Sequence, residues 1–202
     1  MLAYREVWKP VVLEGSPEGK LAAMFAKLAG IRDTWQDDSP YWLESCEQAA
    51  TLTFYPWEYW RCAVTENKYD FPNEMKVGRL VYAKRMTDAT KCAKNALHFE
   101  EDGFKVAVFN DPDKLTSDVA EILRTNGVNV IAGFYFTKDN DNPVIYYSLR
   151  GDGSLDVSAF CEYYGGGGHS CAAAFDQKMN LEEENPFSEF RDMFKEYMKY
   201  GR

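Results

Sequence analysis

Four consecutive glycines, Gly165-Gly166-Gly167-Gly168, followed by His169, Ser170, Cys171 and a small-residue run to Phe175, constrain this chain more than any other segment. Each glycine adds backbone entropy that folding must overcome and offers a core no side chain. Packing is therefore not the expected reason for the run. Such a segment makes physical sense where backbone N–H groups approach something closely. A ring nitrogen at His169 and a helix starting after it would complete a cradle for a phosphate or carboxylate. The alternative is a flexible linker, but linkers continue in Ser and Gly. Here Tyr163 and Tyr164 precede the glycines and three alanines follow. The segment predicts an anion site.

Composition narrows the kind of anion. A net charge of −9 argues against a broad face for duplex DNA, which needs clustered Lys and Arg. A short anionic ligand in one local pocket stays compatible. The 202 residues suit one large domain or two small ones, and 46% hydrophobic and 15% aromatic residues are ample for a core. No apolar stretch reaches membrane-spanning length and residues 1–15 lack a signal-peptide pattern, so no membrane partner is expected. Five cysteines, an odd number with no CxxC pair, predict free thiols in a reducing compartment, hence the cytoplasm. With two histidines, a zinc site is not expected.

The first half reads as helical. Residues 18–29 place Leu21, Met24, Phe25 and Leu28 at helical spacing, opened by Ser16-Pro17 and closed by Gly30. A polar turn follows through Asp37, Asp38, Ser39 and Pro40. Residues 41–63 fit helix or irregular structure, and Trp57, Tyr59 and Trp60 there suit core packing better than base stacking. Residues 73–95 read as an amphipathic connector with Met75, Leu80, Val81 and Tyr82 toward a partner. A boundary is expected between Asn95 and Gly103, with His98 structural or solvated. Strand signals then appear at 106–109, 128–136 and 144–149, with a hairpin turn from Asp139 to Asn142. Thr116 or Ser117 is the expected cap of a helix reaching Thr125, which Gly127 closes. Asp156 caps another from Val157 to Tyr164, and Ala172–Phe175 fits a returning strand. Asn185-Pro186 opens a last helix whose Phe187, Phe190, Phe194 and Tyr197 form one stripe.

Between Phe109 and Phe175 stand Asn110, Thr116-Ser117-Asp118-Val119, Ser148-Leu149-Arg150, Asp156-Val157-Ser158 and the Gly165–His169 run with its alanines. In order and spacing this set resembles the C-terminal, DHH-associated domain of the DHH-family phosphoesterases. That family includes bacterial oligoribonucleases that trim very short RNA, and phosphatases and phosphodiesterases acting on small nucleotides. Upstream, Ala29-Gly30-Ile31-Arg32-Asp33-Thr34-Trp35 behind an apolar helix is similar to the late metal-site motif of the family's catalytic domain. The resemblance implies an α/β chain in four parts. An incomplete catalytic-domain remnant covers 1–72 and a helical connector 73–99. A DHH-associated substrate-binding domain with a mixed sheet covers 100–180, and a C-terminal helix 181–202.

By resemblance Asp33 is a ligand for catalytic Mn2+; the alternative is a helix-exit carboxylate bonded to nearby backbone N–H groups. The family's other ligands, including its Asp-His-His, have no match, and the chain is expected to begin inside a catalytic-domain helix near Leu2 to Trp8. A two-metal site needs several donors, so Asp33 alone cannot hold one and a complementary N-terminal chain is expected. The resemblance assigns Ser117, Arg150, His169 and the amides of Gly165, Gly166, Gly167 and Gly168 to the phosphate of a short RNA or small nucleotide. Each has a plainer alternative: a helix cap for Ser117, a salt bridge to Asp152 or Asp156 for Arg150, a turn histidine for His169. Two departures stand out, Ala174 where the family has Gly and Gly151 where Ser often follows the Arg. The implied function is the substrate-binding portion of a phosphoesterase; the alternatives are a nucleotide-sequestering module or a self-associating structural protein.

Overall fold

A computed structural model describes residues 17–34, 36, 38–60, 70–140, 142–179 and 185–201. The expected opening helix near Leu2, the Ser16 cap, Trp35, Asp37 and the end of the 41–63 segment lie outside the described residues. The chain divides into two compact units between Lys84 and Arg85, inside a helix rather than between Asn95 and Gly103.

In the first unit, α1 spans Pro17–Asp33 and α2 Trp42–Phe54, while α3 (Phe71–Asn95) begins here and continues into the second unit. Gly30 does not close α1 as expected. Leu28 and Ile31 are both buried, so the apolar stripe runs past Gly30. The helix ends instead where Thr34 donates both its N–H (3.1 Å) and its hydroxyl (2.6 Å) to the Gly30 carbonyl. Gly78 of α3 sits hard against α2: an added Cβ would meet Thr51 Oγ1 at 1.9 Å and the Glu47 carbonyl at 2.2 Å. That contact orients α3. Met75 and Gly78 face inward, and Leu80, two residues and about 200° further round, is 73% exposed rather than turned to a partner. Trp57 is likewise 72% exposed, against the expectation of core packing.

The second unit is a six-stranded mixed sheet in the order β1-β2-β3-β4-β6-β5. The strands are β1 Leu97–Glu101, β2 Phe104–Asn110, β3 Val130–Asp139, β4 Asn142–Gly151, β5 Gly167–His169 and β6 Ala172–Lys178. β2 and β3 are parallel, joined through α4 (Thr116–Arg124); every other pairing is antiparallel. The α/β class expected from the sequence is what forms.

Side chains alternate across the sheet, and the two faces are covered differently. One face, with Val106, Val108, Ile145, Tyr147, Leu149 and Phe175, packs on α5 (Val157–Tyr163) and α6 (Pro186–Tyr200). Asp156 caps α5 as expected, accepting from the N–H groups of Ser158 and Ala159. The α6 stripe faces this core, with Phe190 and Phe194 fully buried and Phe160 of α5 against both. On the opposite face, Ala107, Phe109 and Ile131 pack on Val119, Ala120 and Leu123 of α4 and Ala89 and Ala93 of α3. This second core stops at β3. Among the described residues it takes no buried apolar side chain from β4, β6 or β5, so that half of the face lies outside the apolar core.

Candidate functional site

The strand register brings three of the expected site residues, Arg150, His169 and Gly167, onto that half of the face, while Gly168 pairs with Ala173 on the other face. Arg150 of β4 is paired with Ala172 of β6, and Ala172 with His169 of β5. Directly paired residues point to the same side of a sheet. Arg150 and His169 therefore share a face, about 10 Å apart over two strand spacings. One step along on the same face runs a row of small residues, Gly133, Ser148, Ala174 and Gly167. Beyond it lies a third row, Tyr135, Tyr146 and Asp176. The result is a shallow trough with a floor of small side chains, a cationic and imidazole rim, and an aromatic rim.

Arg150 is half-buried and held in place. Its Nε donates to Ser117 Oγ (3.2 Å), and Nη1 donates to Ser148 Oγ (3.3 Å) and the Leu149 carbonyl (2.7 Å). Ser117 comes from the first turn of α4, so the arginine ties helix to floor. Ser117 does not cap α4, and neither does Thr116. The carboxylate of Asp111 takes that role, accepting from the N–H groups of Leu115 (2.6 Å) and Thr116 (2.8 Å) and from the Thr116 hydroxyl. With those donors satisfied from below, the Ser117 hydroxyl is turned to Arg150. Gly133 permits this arrangement, because a Cβ there would lie 2.3 Å from Thr116 Oγ1 and 2.9 Å from Asp111 Oδ2. Burial pushes the Asp111 carboxyl up, against the opposing pull of those hydrogen bonds.

The glycine run differs from expectation in two respects. No helix follows it; the chain returns through β5 and a turn at Ser170-Cys171 into β6, as the alanines allowed. Packing also explains much of it. Gly165 adopts φ +84° and donates to the Glu162 carbonyl, while Gly166 donates to the Cys161 carbonyl at 2.8 Å. That is a left-handed helix stop with both amides consumed inside the protein. A Cβ on Gly166 would lie 2.1 Å from the Ala174 carbonyl oxygen, and one on Gly168 2.5 Å from that of Ala172. Gly165 and Gly167 both have room for a Cβ, Gly165 with nothing within 4 Å and Gly167 with Glu162 Cγ nearest at 4.0 Å, but Gly165 sits at a left-handed φ. Ser158 Oγ, 3.1 Å from the Gly168 carbonyl, fixes the loop to α5. His169 ends the edge strand, exposed, and no described residue hydrogen-bonds its ring.

No family model matches this chain, and no curated protein matches it in sequence. Among solved structures it is similar to the pGpG-specific phosphodiesterase PggH from Vibrio cholerae, at 12% identity and a TM-score of 0.43, over 64% of this chain and 44% of that one. It is also similar to an uncharacterized protein from Helicobacter pylori G27, at 16% identity and a TM-score of 0.31, over 65% of this chain and 34% of that one. The chain spans less than half the length of either.

Asp33 is the last residue of α1, exposed, and belongs to the first unit, whereas Arg150 and His169 belong to the second. Among the described residues no group of three or more His, Cys, Asp or Glu side chains is placed to hold a metal. A single carboxylate does not fit a manganese centre. A cavity of about 620 Å³ lies elsewhere, lined by Lys94, His98 and Lys105 with Ile122, Leu123 and Val128, and does not include the Arg150–His169 trough. His98 is exposed, as expected.

Sequence reading missed Asp111, Tyr135 and Tyr146. The signal was present for the last of these, since Tyr146, Ser148 and Arg150 alternate along one strand and must share its face. Tyr135 needed the β3–β4 register, which no single segment reveals.

Proposed function

We propose that the β4–β6–β5 half of this face binds the anionic end of a short RNA oligonucleotide or small nucleotide, as the substrate-binding portion of a DHH-type phosphoesterase. The carrying observation is the single cross-strand row that puts Arg150 and His169 on one side of the sheet, with Ser117 and Ser148 already bonded to the guanidinium. A planar fork oriented in advance loses little freedom when phosphate oxygens arrive, and its charge strengthens each bond it makes to them. His169, at the far side of Ala172, offers a ring nitrogen to the same ligand. Gly167, with space over its Cα, lets backbone come close to an oxygen. Hydrolysis would draw its metal donors from polypeptide beyond the described residues.

Calorimetry with short oligoribonucleotides and mononucleotides, with and without EDTA, tests the binding claim. Arg150→Ala and His169→Ala should each weaken affinity; unchanged affinity in both discards the assignment. A manganese-supplemented hydrolysis assay, with and without candidate metal-binding partner chains, then separates a phosphoesterase portion from a module that binds without turnover.

A further inference from the structure

The trough has a second rim that phosphate binding does not use. Tyr146 and Tyr135, direct partners on β4 and β3, bring their rings to 5.0 Å between centroids at a tilt of 32°. Lys114 Nζ sits 5.5 Å from the Tyr135 ring centroid, which leaves Tyr146 as the ring nearer the trough's open β6 side. Both tyrosines are half-buried and rigidly based on central strands. Asp176, the other cross-strand partner of Tyr146, stands exposed beside it.

Spacing links this rim to the other. Tyr146 and Ser148 are two residues apart on one face, about 7 Å, and the Arg150 guanidinium folds back to Ser148. Cation and ring are thus separated by roughly the reach from a nucleobase to the phosphate of its own nucleotide. The groups sense each other: burial raises the Tyr146 phenol, neighbouring Tyr135 and Asp176 add to that, and Arg150 pulls it back down. The floor between the rims is Ser148 and Ala174, both small side chains.

The geometry points to Tyr146, backed by Tyr135, as a nucleobase-stacking subsite that fixes the ligand's direction, base toward Tyr146 and phosphate toward Arg150. This inference rests on the phosphate reading of Arg150. Asp176 reinforces the direction, because its carboxylate repels a phosphate from the aromatic end. The ligand class that follows is nucleotides, in preference to other phosphate esters of similar size.

The test compares three probes on the full chain by calorimetry: adenosine 5′-monophosphate, ribose 5-phosphate and inorganic phosphate. Adenosine 5′-monophosphate should bind roughly tenfold or more tighter than ribose 5-phosphate, the size of effect one base on an aromatic platform gives. Tyr146→Ala should erase that preference and leave ribose 5-phosphate affinity unchanged, while Tyr146→Phe retains the preference and checks that the fold survives. Equal affinity for the two esters, with Arg150→Ala abolishing both, overturns the stacking subsite and leaves the phosphate site standing. Binding of none of the three probes overturns both. A preference that persists in Tyr146→Ala places the base elsewhere and overturns the subsite alone.

Discussion

Arg150 and His169 share one cross-strand neighbour, Ala172, which stands between them on the same face of the sheet. The chain separating them builds α5, the glycine stop and edge strand β5, so a helix cap and a tight turn set the spacing. Asp156 starts α5, Gly165 ends it, and the N–H of Val157 donates to the Ser170 carbonyl at 2.9 Å to bind the returning turn to the helix start. Each constraint is local, yet together they place His169 and Arg150 on one face of the sheet, two strands apart.

Arg150→Lys should lose roughly tenfold or more in nucleotide affinity while the melting temperature moves little. A lysine has a single ammonium on a flexible stem and cannot bond Ser117 and Ser148 and still fork onto phosphate. Ser117→Ala should give a smaller loss, since it removes one restraint on the guanidinium. Titration calorimetry beside thermal melts separates binding from folding. If Lys binds as well as Arg, fork geometry is irrelevant.

The glycines predict opposite outcomes for neighbouring substitutions. Gly166→Ala and Gly168→Ala drive a methyl to within 2.1 Å and 2.5 Å of β6 carbonyl oxygens, the second at φ +151°. Each should cost at least about 2 kcal/mol of stability. Gly167→Ala meets nothing closer than 4.0 Å and should fall within about 0.5 kcal/mol of the parent. Any affinity lost in Gly167→Ala then reports a ligand over that position. Urea unfolding of the three variants checks the order, and a severe loss of stability at Gly167 contradicts it.

The same loop marks where sequence reading succeeded and where it stopped. The helix stop at Gly165, the Asp156 cap and the α6 stripe were legible because each depends on residues within one or two turns. So was the pairing of alanines back into a strand. The packing role of Gly166 and Gly168 was not legible, since it exists only against the carbonyls of β6. Likewise Asp111 displaced Thr116 and Ser117 as the cap of α4 because Gly133, on a separate strand, left room for its carboxylate. Leu80 looked inward by hydropathy, but the contact at Gly78 decides which side of α3 meets α2.

In the first unit, the Tyr59 hydroxyl donates to Glu74 Oε1, a residue 2% exposed. That bond, then burial, pushes the phenol up to about 12 from its ordinary 10.0. A raised acid favours the fold below its unfolded value, and that contribution disappears as pH climbs through the folded one. Stability should therefore fall between the ordinary and raised values, and Tyr59→Phe should lack that step. At neutral pH Tyr59→Phe should cost about 1–3 kcal/mol, because a buried carboxylate loses a donor. The difference between ultraviolet absorbance titrations of parent and variant isolates this one phenol among 13 tyrosines; a step near 10 rejects the bond.

Asp111 provides the acid-side counterpart, with competing causes. Burial raises its carboxyl above the ordinary 3.8, while donors from Thr116 and Leu115 pull the other way and lose. Its proton is thus held more tightly in the folded chain than in the unfolded one. The resulting contribution favours the fold below 3.8 and is lost as pH rises through the raised value. Asp111→Asn cannot titrate, so the stability difference, parent minus variant, should decline across that window and then level off toward neutrality. Asparagine keeps one acceptor oxygen for donors that now share two, so it should still be the less stable at neutral pH, by about 1–2 kcal/mol. Urea midpoints of both proteins between about pH 3 and 7, with carbon NMR of the Asp111 carboxyl, measure this directly. A carboxyl that titrates below its ordinary value, with a difference that grows as pH rises, means the three cap donors outweigh burial.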